Sequence, residues 1–152
     1  MTEVTNLTDL RNLPITTQTV YVKGYDILGD GGGGWFLWRD ETIFKTGIYS
    51  NENYGTIIKS NVVANDVGSW IRQYDGYINI LWFGALGFGN DYTLNFQSAI
   101  DYASLNSKLN PTFKGSTVFI PNGSYFISHI TLKNSVTLLG ESLENTIIYA
   151  MP

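Results

Sequence analysis

Apolar residues recur with two different periods along this chain, and the change of period divides it. From Thr93 to Leu109, Phe96, Ile100 and Ala103 fall at offsets of 4 and 7, a single apolar stripe on a helix. Asp91 or Thr93 is placed to cap its first turn, and Asn110-Pro111 to close it. Before this helix the apolar runs are short. Val20 to Val22, Thr56 to Ile58, Trp70 to Arg72 and Tyr77 to Trp82 each predict a strand, with polar segments between them. Trp35 to Trp38 alternates, which sets Trp35 and Leu37 on one face and Phe36 and Trp38 on the other. Asp75-Gly76, lying between Ile71 and Ile78, reads as a hairpin turn.

Beyond the helix, Thr117 to Ile120 is a short apolar strand, and Pro121-Asn122-Gly123 turns the chain. Tyr125 to Ile127, Ile130 to Leu132, Val136 to Leu139 and Thr146 to Tyr149 predict further strands. Val118 and Leu138 are 20 residues apart, a spacing at which the coils of a solenoid stack. A small sandwich or barrel also has many short strands, so periodicity alone leaves both architectures open.

The stretch GDGGGGWFLW, Gly29 to Trp38, raises the question of a phosphate cradle. Such a loop needs glycines followed by Lys-Ser or Lys-Thr opening a helix. Here Gly31, Gly32, Gly33 and Gly34 run into aromatic residues that predict a strand, so Asp30 to Gly34 reads as a flexible corner.

Composition narrows the function classes. The 152 residues carry 9 basic and 13 acidic side chains, a formal charge of −4, which is the opposite of a nucleic-acid footprint. Cysteine is absent and there is one histidine, which removes disulfides and thiolate metal sites and leads us to expect no cofactor. No run approaches the 18 apolar residues of a membrane span, and the polar, acidic start does not read as a signal peptide. Asn6-Leu7-Thr8 and Asn122-Gly123-Ser124 match the glycosylation sequon but stand without a secretion signal. Sixteen glycines and ten tyrosines suit short strands joined by tight turns.

Candidate chemistry is sparse. Glycoside cleavage asks for two carboxylates set across a bond, about 5 to 9.5 Å apart. Asp26, Asp30, Asp40 and Glu41 flank the glycine corner, while Asp66, Asp75 and Asp91 lie between strands, with no spacing that fixes two on one face. His129 follows Ser128, but adjacent strand residues point to opposite faces, so no nucleophile and base are paired. We therefore expect no catalytic residue in this chain. Trp35, Trp38, Trp70 and Tyr74 are candidate glycan contacts, since exposed aromatic faces suit sugars; the competing reading makes them the filling of a small core.

One segment carries a family resemblance. NILWFGA, Asn79 to Ala85, followed by Gly87, Gly89, Asp91, Thr93 and a helix with Gln97, Ala99 and Ile100, resembles the opening of the pectate-lyase-like right-handed parallel β-helix proteins. GSTVFIPNGSYFISHITLKNSVTLLGES, Gly115 to Ser142, resembles the element that follows, although Phe88 stands where the family often has an acid. With GDGGGGWFLW upstream, the arrangement is similar to phage tailspike and tail-fibre proteins. The resemblance implies a mainly β fold: an N-terminal extension or linker over 1–19, a small β domain over 20–82, and a capping helix with the first β-helix coils over 83–152. It implies structural roles for Gly31 to Gly34, Trp82, Phe83, Gly84, Phe96, Ile100, Pro121 and Gly123.

The function it implies is a structural virion component. That component is the N-terminal section of a homotrimeric tail fibre or tailspike, made in the bacterial cytoplasm, located in the tail and joined to other virion proteins. No nucleic-acid partner and no membrane insertion are expected. Two alternatives stand beside it: the front end of a polysaccharide depolymerase whose catalytic coils lie beyond residue 152, acting on bacterial surface polysaccharide, or a glycan-binding module.

Overall fold

A computed structural model describes residues 1–16, 18–41, 51–109 and 116–152. These form two compact units, Met1–Asp75 and Gly76–Pro152.

The described residues of the first unit include a five-stranded sheet and a short helix. Its elements are β1 (Thr2–Val4), α1 (Leu7–Asn12), β2 (Thr19–Val22), β3 (Gly34–Asp40), β4 (Ile57–Ile58) and β5 (Gly68–Gln73), and the strand order is β1-β2-β3-β5-β4. β1 runs parallel to β2, and the other pairs are antiparallel. The expected alternation in β3 holds: Phe36 is fully buried while its neighbour Trp35 is exposed. Phe36 joins Leu7, Leu10, Val20, Val22, Ile58 and Trp70 in the core, with Trp38 packed on the margin.

Residues 1–19 differ from the extension that the sequence led us to expect. Thr2–Val4 is a strand of the sheet, and α1 sends Leu7 and Leu10, both buried, into the core. Asn6 begins α1 by accepting the Asp9 backbone N–H at 3.0 Å. Arg11 then bonds the Lys59 carbonyl at 3.2 Å and pairs with Glu52, tying the helix to the segments on either side of β4.

The second unit contains β6 (Ile78–Asn79), a 3-10 turn (Ile80–Phe83), β7 (Phe88–Asp91), α2 (Thr93–Leu109), β8 (Ser116–Ile120), β9 (Gly123–Ile127), β10 (Val136–Gly140) and β11 (Thr146–Ala150). Its strands make two three-stranded sheets, β10-β8-β6 and β11-β9-β7, in which every pair is parallel. Leu138 pairs with Val118 across the 20-residue spacing, and Ile78 pairs with Val118 on the other side. The fold is thus mainly β with a helix and parallel sheets, and the described residues do not form a closed solenoid. Phe96, Ala99, Ile100 and Ala103 of α2 are all fully buried, as their stripe requires.

Three expectations are corrected here. Asp75-Gly76 is not a hairpin: β5 pairs with β3 and β4, whereas β6 pairs with β8, so Ile78 belongs to the second unit rather than to a domain ending at residue 82. Tyr77 to Trp82 is not one strand. The Asn79 side chain accepts the Leu81 N–H at 2.9 Å, which tightens the backbone into the 3-10 turn that Gly84 ends at φ 84°. Ile130 to Leu132 is not a strand either, because side chains of α2 take its backbone groups. The Thr93 hydroxyl accepts the Ser128 N–H at 2.8 Å, and the Gln97 amide both accepts from Thr131 N at 2.8 Å and donates to Thr131 O. The expected stop at Asn110-Pro111 lies outside the described residues.

Candidate functional site

The glycine corner between β2 and β3 is built around one carboxylate and one guanidinium. Both Asp30 oxygens accept backbone N–H groups: Tyr25 at 2.7 Å and Gly32 at 2.9 Å on Oδ1, Asp26 at 2.8 Å and Ile27 at 3.1 Å on Oδ2. Partial burial works to raise the Asp30 pKa, but these four donors outweigh it and hold the group below its ordinary value. Arg72, on β5, is buried and donates to the carbonyls of Gly33 at 2.6 Å, Gly32 at 2.7 Å and Gly55 at 3.0 Å. Its guanidinium lies 4.6 Å from the centre of the Phe36 ring. Burial pulls Arg72 down to about 9, against the nearby Asp30 charge that favours the cation.

The corner therefore has its amides turned to an anion and its carbonyls to a cation. Gly31 adopts φ 85°, and a side chain at Gly33 would meet the Val22 carbonyl at 2.5 Å. Gly32 gives its amide to the Asp30 carboxylate, an anion that already stands where a phosphate would have to sit.

The candidate glycan contacts scatter. Trp70 is completely buried, and Trp38 packs edge-on against it at 5.2 Å. Trp70 is thus corrected from glycan contact to core. Tyr74 is half-buried, and Trp35, 39% exposed, meets Tyr21 edge-on at 5.1 Å. No line of open aromatic faces is assembled from these four.

The acids also have local duties. Asp91 caps α2 by accepting both the hydroxyl and the N–H of Thr93, and the hydroxyl first, then the N–H, keeps its carboxyl below the usual range. Asp26, Asp66 and Asp75 are exposed, and so are Ser128 and His129. Among the described residues no group of three or more His, Cys, Asp or Glu could hold a metal ion, and no helix is long and apolar enough to cross a membrane.

The residues expected to shape the start of the second unit do come together. Asn95 of α2 donates to the Phe83 carbonyl at 2.6 Å, and Phe83 packs on Tyr102, with Trp82 half-buried beside it. Tyr125, fully buried, contacts Tyr92 and Phe96 edge-on and donates its hydroxyl to the Pro121 carbonyl at 2.9 Å. Gly123 leaves space for that ring, since a side chain there would meet the Tyr125 hydroxyl at 3.1 Å. β10 and β11 are the outermost strands of their sheets, and Leu139, Ile147, Ile148 and Tyr149 on them are each about two-fifths exposed.

Two buried cations escaped the sequence reading. Arg72 shares the Trp70 face by strand alternation, a signal that was available. Lys59 gives none: its ammonium donates to the carbonyls of Asn65 at 2.5 Å and Gly68 at 3.4 Å, partners 6 and 9 positions away in the chain.

Comparison with known proteins agrees with this geometry. Residues 3–75 match the phage tail protein small four-stranded beta-sheet domain. Full-length tailspike protein 2 from an Escherichia coli O157:H7 bacteriophage is 27% identical, with a TM-score of 0.72, over 100% of this chain and 18% of its own. The enzymatically active domain of bacteriophage CBA120 tailspike protein 2 is 28% identical, with a TM-score of 0.73, over 99% of this chain and 19% of its own. The tailspike gp49 of Acinetobacter baumannii bacteriophage Fri1, described as a capsular polysaccharide depolymerase, shares the fold at 19% identity and a TM-score of 0.71, over 92% of this chain and 23% of its own. No curated protein matches the chain. It spans less than a quarter of each of these structures. The small sheet, the parallel sheets behind a buried helix stripe and these matches make the chain similar to the N-terminal part of phage tailspike proteins.

Proposed function

We infer that this chain is the front end of a phage tailspike that degrades bacterial surface polysaccharide, with bond cleavage carried by coils beyond residue 152. One observation carries the reading. Ile78, Val118 and Leu138 stack in parallel register, and Tyr125 pairs with Ile148, so β10 and β11 present a template for a further coil. The likeness to the enzymatically active domain of a tailspike, over 99% of this chain, supports the same reading.

The work of the present residues is mechanical. The first unit is a rigid small sheet suited to attachment in the virion tail. The second starts the shaft, with Phe96 and Ile100 sealing one end of its core and Phe83, Gly84 and Pro121 shaping the turns into it. Three parallel chains around one axis would complete the spike, because closed symmetry covers a repeated patch without building filaments. Asp30 and Asp91, spent on backbone donors, are not free to act as an acid and base pair.

The test compares residues 1–152 with the longer gene product on purified capsular polysaccharide, reading new reducing ends or unsaturated sugars. Turnover is expected from the longer product alone. Cleavage by the 152-residue chain, abolished by changing Asp26 or Asp75, would overturn the assignment. Light scattering of the longer product is expected to give three subunits, and a monomer would remove the trimer from the reading.

A further inference from the structure

The turn from Gly24 to Gly29 presents two large aliphatic side chains to solvent, Ile27 at 62% and Leu28 at 67% exposure. Single apolar residues on a surface are ordinary. This pair is not ordinary, because the backbone carrying it is fixed from three directions. The Asp30 carboxylate holds the N–H groups of Tyr25, Asp26 and Ile27 from below. The chain closes on itself through Gly29 N to Lys23 O at 3.1 Å and Asp30 N to Ile27 O at 3.3 Å. From the side, the Asn6 amide donates to the Asp26 carbonyl at 3.0 Å and Leu7 N to the Tyr25 carbonyl at 3.1 Å. Gly24 is closed to any side chain, since a Cβ would fall 1.8 Å from the Ile27 carbonyl. A turn that only linked two strands would need none of this, and turn tips favour polar residues.

We propose that Ile27 and Leu28 form a preorganised finger that inserts into an apolar pocket on a different protein, rimmed by lysine or arginine. Fixing the backbone beforehand lowers the ordering cost of docking. Charge selects the rim. Asp26, adjacent to Ile27, is exposed, as is Asp9 on the neighbouring helix, while Lys23, one residue before the turn, is engaged by Glu3 at 2.8 Å. That excess of carboxylate complements a basic rim and repels a nucleic acid. Branched aliphatic side chains also offer no flat ring for a sugar to lie on. The finger extends the attachment role proposed above and is independent of where the polysaccharide chemistry resides.

The probe is phage particles assembled without this gene product, incubated with the full-length product at low and high salt. Ile27→Ser combined with Leu28→Ser is expected to weaken particle binding by at least about 30-fold, from the loss of two buried aliphatic side chains. Asp26→Lys should weaken it less, and raising the salt should weaken the parent. Melting temperature, subunit number and polysaccharide turnover should stay at parent values. Particle binding equal to the parent's would overturn the proposal, as would no binding by the parent. A change in subunit number would overturn it too, by assigning the finger to a contact between copies. Absent polysaccharide turnover with intact particle binding would sink the enzymatic reading and leave the finger standing.

Discussion

Asp30→Asn tests whether the glycine corner is held by charge rather than by its own turn geometry. The carboxylate accepts four backbone N–H groups, two on each oxygen. An asparagine keeps one acceptor oxygen and turns an amide NH2 toward the other two donors. Two charge-assisted bonds are lost, at about 1.5–3 kcal/mol each in a dry site. Water reaches this half-buried corner and recovers part of that, so a net loss of about 2–3 kcal/mol is expected. Buried Arg72 loses its favourable neighbour at the same time, which pushes in the same direction.

Urea unfolding followed by tryptophan fluorescence suits the measurement, since Trp35, Trp38 and Trp70 all belong to the first unit. The sign with pH is definite. A carboxyl whose folded pKa lies below its unfolded value stabilises the fold above the unfolded value and loses that contribution as pH falls through the folded one. The gap between parent and variant should therefore be full at pH 7 and close below the ordinary aspartate value of 3.8. A gap under about 0.5 kcal/mol at pH 7, the size of ordinary surface changes, would refute the reasoning. So would a larger gap that did not move with pH.

Phe96→Asp should cost at least about 3 kcal/mol, since a fully buried ring is lost and a charge takes its place; a loss within about 0.5 kcal/mol would mean α2 does not seal the core. Gly33→Ala forces a methyl to 2.5 Å from the Val22 carbonyl and should destabilise by about 1–3 kcal/mol, and an unchanged denaturation midpoint would show that the corner yields. Burial, with smaller effects of Tyr92 and Glu141, pushes the Tyr125 phenol up to about 12. The folded state keeps that proton while the unfolded chain releases it near 10, so stability should fall between pH 10 and 12. Tyr125→Phe should flatten that fall in an alkaline series of melting curves, and an unchanged slope would assign it elsewhere.

Strong local patterns were legible in the sequence. The helix read as Thr93–Leu109 because its apolar stripe and the Asp91 cap agree, and the Val118 to Leu138 spacing turned out to be a strand register. The corner at Gly31 to Gly34 was legible because four glycines have no cheap place in a straight strand. What failed did so for physical reasons. Leu7 and Leu10 sit in a helix of six residues, too short to display a stripe. In Tyr77 to Phe83 nearly every position is apolar, so periodicity cannot separate strand from 3-10 turn, and the Asn79 side chain decides. The clamp on the corner was half-visible. Asp30 stood beside the glycines, but its partner Arg72 lies 42 positions away and is found only when β3 and β5 are paired.

The two units solve the problem of strand pairing in opposite ways, and that difference explains where side chains had to intervene. In the first, most partners run antiparallel, so a turn can join them, and a single clamped corner fixes the step from β2 to β3. In the second, every pair is parallel, so each strand must travel around to rejoin its neighbour, and connecting segments cannot be left to local turn geometry. α2 supplies the missing constraint from both of its faces. Phe96, Ile100 and Ala103 are buried, with Phe96 edge-on to Tyr125 of β9, while Thr93 and Gln97 hold residues 128 and 131 by their backbones. The segment carrying Ile130 to Leu132 gives up strand structure as Gln97 of the helix takes both the N–H and the carbonyl of its central residue, Thr131. Its apolar residues mimic a strand in sequence, but their backbone is committed to a different partner.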